Sequence, residues 1–205
     1  MKHEHDEDEH YYAKQPKSKP QLGLIRTHLR GHFFEFLTSS SVFSKRRIDL
    51  GTRLLIESMI LPKKGYVLDL GCGYGPVGIA AATFNSDLHV IMADVNERAV
   101  WLAKENAKRN RVDNVEIRHG FLYEPVENAK FAAILCNPPV SAGMQIVSPI
   151  ITDASKHLRE NAVFQMVVRS KIGGKRLLNE LKKTLGNVEV LARKSGYRVL
   201  LSKKP

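Results

Sequence analysis

Long apolar runs are missing from this 205-residue chain. No stretch reaches the roughly 18–20 apolar residues that a membrane helix needs. The opening residues, MKHEHDEDEH, hold no apolar core of a secretory signal. These absences exclude a helical membrane protein and predict a cytoplasmic one. Cysteine is scarce too. Cys72 and Cys136 are too few for a disulfide framework, and without a CxxC spacing they argue against structural zinc. Acidic residues are also short, with 21 Asp and Glu against 32 Lys and Arg, a net charge of +11. The first ten residues hold five acids and one lysine, so residues 11–205 carry 31 bases against 16 acids, or +15. A body that basic points to a polyanion, RNA or DNA ahead of a membrane surface. A heat-adapted surface rich in Lys and Arg would show the same excess.

What is present is an ordinary globular composition, 43% hydrophobic and 26% charged, which excludes disorder as a class. The length suits one domain. Residues 1–21 read as a solvated tail, in which His3, His5 and His10 lie among acids. Leu22, Leu24, Ile25 and Leu29 recur at helical spacing up to Gly31, predicting a helix over 22–30. HFFEFLTSS predicts a strand after it.

From residue 51 the alternation is regular. Helices are predicted over 51–60, 76–84, 96–110, 145–158 and 175–185. Strands are predicted over 66–70, 88–93, 115–118, 131–136, 163–168, 188–192 and 197–202. That order implies an α/β fold, Rossmann-like, with a seven-stranded and mostly parallel sheet. Helices cover both faces and an antiparallel hairpin closes the C-terminus.

VLDLGCGYGPVG is a strand running into a glycine-rich turn and a helix. Open parallel sheets bind ligands at such a turn. The dinucleotide spacing at Gly73, Gly75 and Gly78 fits poorly, because Gly71 and Cys72 separate it from the strand. Asp69-x-Gly71-x-Gly73-x-Gly75 fits better, and an acid followed by alternating glycines suits a ligand carrying an ammonium group. Asp94 ends the next strand, where a carboxylate accepts from both hydroxyls of an adenosyl ribose.

Asn137-Pro138-Pro139-Val140 ends the fourth core strand. Proline has no N–H donor, so the motif is rich in acceptors. The Asn137 side-chain oxygen and the Pro138 carbonyl can hold the two hydrogens of a planar amino group.

Together DLGCGYGPVG, ADVN and NPP resemble class I S-adenosylmethionine-dependent methyltransferases acting on exocyclic amino groups. With VFSKRRIDLGTRLLIE, NPPVSAG and GYRVLLSKK, the chain is similar to the "methyltransferase small" domain family, which includes small-subunit rRNA guanine-N2 methyltransferases. The resemblance runs from about Phe33 to Lys204. It is to the stand-alone, archaeal-type form, without the extra N-terminal half of two-domain bacterial members.

The resemblance implies one methyltransferase domain over 22–205, with residues 22–50 as a helix and strand extension over the pocket. It implies S-adenosylmethionine as cofactor, lined by Asp69, Gly71, Cys72, Gly73 and Gly75, with Asp94 and Val95 at the ribose. Thr52 and Asn137 join that cofactor site. Asn137, Pro138 and Pro139 would serve catalysis. Phe43, Asp49 and Val140 would meet the substrate, and Lys45, Arg46 and Arg47 would hold its phosphates. Where family members often read GDLY, this chain has Gly120-Phe121-Leu122-Tyr123. Either Phe121 packs on the adenine or the Leu122 N–H reads it. The implied substrate is structured RNA, rRNA ahead of tRNA, with no metal, and the protein would act as a monomer or homodimer. Methylation of a protein glutamine, and a non-catalytic cofactor-binding module on RNA, are the alternatives.

Overall fold

The computed structural model describes residues 21–39, 47–171 and 174–205. The N-terminal tail, Phe43, Lys45 and Arg46 lie outside the described residues. Strands β1 (Leu22–Leu29) and β2 (His32–Ser39) precede helix α1 (Leu50–Ser58). Then come β3 (Gly65–Leu70), α2 (Pro76–Phe84), β4 (Leu88–Asp94), α3 (Glu97–Arg109), β5 (Val115–His119) and β6 (Phe131–Cys136). Helices α4 (Met144–Thr152) and α5 (Ala154–His157) lead to β7 (Leu158–Arg169), α6 (Gly174–Leu185), β8 (Glu189–Lys194) and β9 (Tyr197–Lys203). The main sheet has the order β5-β4-β3-β6-β7-β9-β8. Its first five strands run parallel, and β9 is antiparallel to both β7 and β8. Among the described residues, no helix is long and apolar enough to cross a membrane.

The helix expected over 22–30 is instead strand β1. Its buried residues, Ile25 and Leu29, lie four apart, a spacing that a helix and a strand satisfy equally. The turn decides between them. Arg30 and Gly31 both take positive φ, 46° and 83°, and join Leu29 to its partner His32. That is the two-residue hairpin whose twist matches paired strands. The expected helix over 145–158 is also corrected. It stops at Thr152, α5 follows as a single turn, and β7 starts at Leu158, which pairs with Phe131.

The hairpin is tied to α3 by two asparagines. Asn110 accepts from the Glu35 N–H at 3.1 Å and donates to its carbonyl at 2.8 Å. Asn106 does the same for Leu37 at 2.6 and 2.9 Å. Four residues of helix rise about 6 Å and two of strand about 6.6 Å, so both amides meet alternate residues of β2. Asn106 also donates to the Tyr74 carbonyl at 2.8 Å.

The sheet separates two cores. Val67, Met92, Ala133, Leu135, Val167 and Val199 pack with α1, α2 and α3. Leu68, Leu70, Ala93, Ile134, Phe164 and Leu200 pack with α4, α5 and α6. Alternate residues of each strand thus face opposite layers.

Candidate active site

The chain leaves β3 for β4 and β5 on one side and returns to β6 and beyond on the other. Parallel sheets bind ligands at such a switch point, beyond the carboxyl ends of the strands. Strand parity sends the chemistry there to one face. Asp69 follows Val67, Asp94 follows Met92, Asn137 follows Leu135 and Arg169 follows Val167, all on the side of α1–α3. These four side chains line a cleft of about 370 Å³.

Gly71, Gly73 and Gly75 all take positive φ, at 72°, 58° and 96°. The frame beginning at Asp69 therefore describes this loop. Gly78 serves a different purpose, since a Cβ there would come within 2.6 Å of Met92 Cγ and 3.0 Å of Asp69 Oδ2. That close approach lets the Gly78 N–H donate to Asp69 Oδ2 at 2.8 Å. Asp69 is 1% exposed. Burial pushes its carboxyl up to about 7; the Gly78 N–H pulls against this and Asp94 adds to it.

Asp94 Oδ2 accepts from the Gly73 N–H at 2.8 Å, and Oδ1 from the Asn96 N–H at 2.9 Å. Burial raises this carboxyl as well, opposed by the same N–H groups. Asn96 caps α3 by accepting from Arg98 and Ala99. Cys72 is buried with its thiol pushed well up, which keeps it neutral.

A second, apolar slot of about 110 Å³ adjoins the cleft and shares Gly71, Asp94 and Asn137 with it. Val95, Phe121, Leu122 and Pro139 line it. Leu122 has φ 46°, and Phe121 is fixed by its N–H donating to Glu124 Oε2 at 3.2 Å.

The Asn137 amide has one donor engaged. Nδ2 donates to Thr52 Oγ1 at 2.8 Å, which orients Oδ1 as the remaining acceptor. Thr52 is 4% exposed, and its N–H, like that of Gly51, donates to Asp49 Oδ1. Asp49 thus caps α1 while also lining the cleft. The Val140 N–H donates to the Pro138 carbonyl at 2.9 Å, around Pro139 at φ −74° and ψ 74°. This inverse γ-turn leaves the carbonyl its second lone pair.

Thr52, Pro138 and Val140 thus join Asp69, Asp94 and Asn137 around the cleft. Arg47 is exposed and outside that lining. Arg169 and Tyr197 also line the cleft, although the sequence pattern gave neither a place in it. Arg169 Nε donates to the Tyr197 hydroxyl at 2.9 Å, and its Cζ lies 5.3 Å from that ring's centroid. The available signal was the closing GYRVLLSKK strand, whose first residue returns to the carboxyl edge only through antiparallel pairing. Among the described residues no three His, Cys, Asp or Glu side chains gather as a metal site would need.

Residues 34–201 match the model of the methyltransferase small domain. A Bacillus subtilis protein described as uncharacterized protein YbxB is 39% identical over 198 residues, covering 96% of this chain and 98% of its own. A ribosomal RNA small subunit methyltransferase C of Photorhabdus laumondii is 29% identical over 171 residues. The match covers 82% of this chain but only 49% of that protein, so the chain spans about half of this longer relative. A Thermus thermophilus 16S rRNA N2 G1207 methyltransferase, solved with AdoMet and guanosine, superposes with a TM-score of 0.82. It is 23% identical, over 93% of this chain and 52% of its own, and supports the fold alone. The chain belongs to the methyltransferase small domain family.

Proposed function

We propose that this protein methylates an exocyclic amino group, guanine N2 of small-subunit rRNA, and that it works in the cytoplasm. The observation that carries this reading is the Asn137–Thr52 hydrogen bond, which engages Nδ2 and leaves Oδ1, on the residue before Pro138, as the amide's acceptor. Two acceptors on adjacent residues match the two hydrogens of an NH₂ group. A ring hydroxyl or a ring carbon has no use for both.

The donor set suits the cofactor. Burial raises both carboxyls, Asp69 and Asp94, and Asp94 adds to the rise at Asp69. A ligand bearing an ammonium and a sulfonium relieves that cost. Asp94 would hold the ribose, the slot by Phe121 and Leu122 the adenine, and the Asp69 loop the methionine portion. When bound, S-adenosylmethionine supplies an electrophilic methyl whose bonding pair stays with sulfur.

The chain's own residues do the remainder. Asn137 and Pro138 accept the N2 hydrogens, hold the nitrogen in line and draw its lone pair out of the ring. Positioning of this kind has a ceiling of about 7–11 kcal/mol. No side chain is assigned as general base, because the proton leaves the nitrogen after methyl transfer. The base must leave its stack to reach the cleft, which costs a few kcal/mol for a paired base. A body carrying +15 supports RNA over protein as the polymer that brings it. The curated relative's small-subunit rRNA activity supports the same class.

The test uses tritiated S-adenosylmethionine with small-subunit rRNA from a strain lacking this gene. After digestion to nucleosides, label should appear as N2-methylguanosine. Label in another nucleoside, or only in protein, overturns the reading.

A further inference from the structure

Along the carboxyl edge of the sheet, Asn137 stands between two unlike halves. On one side β3 and β4 end in Asp69 and Asp94, the anionic half already assigned to the cofactor. On the other side β7 ends in Arg169, whose Cα pairs with Tyr197 at the start of β9. Both residues line the same cleft as Asn137 and Val140.

Arg169 is held at one end and open at the other. Its Nε is spent on the Tyr197 hydroxyl at 2.9 Å, and its guanidinium lies over the Tyr197 ring. The ring is seated against α1, since a Cβ on Gly51 would come within 3.0 Å of it. Among the described residues Nη1 and Nη2 have no hydrogen bond, and no carboxylate pairs with Arg169. A planar fork with a fixed root recognises an edge that offers two acceptors.

We propose that Arg169, positioned by Tyr197, reads the O6 and N7 acceptors of the target guanine while Asn137 and Pro138 hold N2. This rests on the guanine-N2 reading above and adds to it what selects the base. The amino-holding motif alone would accept any base with an NH₂ group. Adenine has one amino group, N6, and once held by it the base has no O6 and N7 acceptor pair to offer the fork. Val140 supplies no aromatic ring for stacking, and the Arg169–Tyr197 pair is the polar counterpart on the open side of Asn137.

Transcripts of small-subunit rRNA made with GTP, or with 7-deaza-GTP in its place, test this on the full-length protein. The deaza transcript keeps N2 and O6 and loses N7. Initial methylation rates at subsaturating RNA should favour the ordinary transcript about tenfold for the wild type, the discrimination of a bidentate contact. R169A and R169K should lose about tenfold on the ordinary transcript and show no preference between the two. Y197F, which keeps the ring and loses the Nε bond, should fall between. Melting temperature and S-adenosylhomocysteine affinity should not change in any of them. If R169A keeps the tenfold preference, Arg169 holds a phosphate and the proposal fails. If R169A loses S-adenosylhomocysteine affinity, Arg169 belongs to the cofactor and the proposal fails. Wild-type protein that makes no N2-methylguanosine on either transcript sinks the guanine-N2 reading itself. Normal N2 methylation with an unaltered R169A preference sinks only the role of Arg169.

Discussion

Asn137 and Thr52, 85 positions apart, are joined by a 2.8 Å hydrogen bond from amide to hydroxyl. The bond converts a symmetric-looking amide into one with a defined acceptor side. Thr52 therefore works on the reaction through Asn137. Thr52→Val keeps the shape and removes the acceptor. The lost bond is worth about 0.5–1.5 kcal/mol. The variant should lose roughly threefold to tenfold in kcat, with S-adenosylhomocysteine affinity unchanged by calorimetry. Wild-type kcat would show that the amide is oriented by something else.

Asp94 accepts two backbone N–H groups and borders both the cleft and the apolar slot. Asp94→Ala should weaken S-adenosylhomocysteine binding by about 1.5–3 kcal/mol, the worth of hydrogen bonds to a charged acceptor. Calorimetry against wild type checks it, and equal affinities would remove Asp94 from the ribose.

Asp69 gives a pH dependence with a defined sign. Its carboxyl is raised from 3.8 to about 7 in the fold, mainly by burial. The folded state therefore binds the proton more tightly than the unfolded chain does. Asp69's contribution to stability is full below pH 3.8 and is lost as pH climbs to about 7. A cationic ligand favours the ionised form, so binding runs the other way. S-adenosylmethionine affinity should rise with pH toward 7, by at most about tenfold per unit, and level off above. Titration calorimetry at several pH values checks this, and Asp69→Asn should flatten most of the rise. A rise of full size in that variant would assign the proton elsewhere.

Asn106 is fully buried and bonds Leu37 and Tyr74 at once. Asn106→Ala leaves backbone groups of β2 without partners, at about 1–3 kcal/mol for each group that stays buried. A lowered melting temperature is expected, together with faster amide exchange at Leu37. Unchanged exchange at Leu37 would mean that the hairpin is held by Phe34 and Phe36 alone.

Much of the molecule was legible in the chain because its signals are local. The β3 turn is written in consecutive residues, with three alternating glycines at positive φ behind an acid. Helix α2 matched its expected bounds over 76–84, since Pro76 opens it and Asn85 ends the apolar run. The parity of each buried strand, Val67 against Leu68 or Leu135 against Cys136, already determined that Asp69 and Asn137 share one face of the sheet. Tertiary structure alone decided what those residues meet. Ile25 and Leu29 sit at a spacing common to helix and strand, and only the Arg30–Gly31 turn and the asparagines of α3 made β1 and β2 a hairpin. Thr52 and Asn137 are far apart in sequence, as are Arg169 and Tyr197, and their side chains carry no mark of their partners. Hydrogen bonds between distant residues depend on where the backbone returns, and that is settled by packing of the whole sheet rather than by any local pattern.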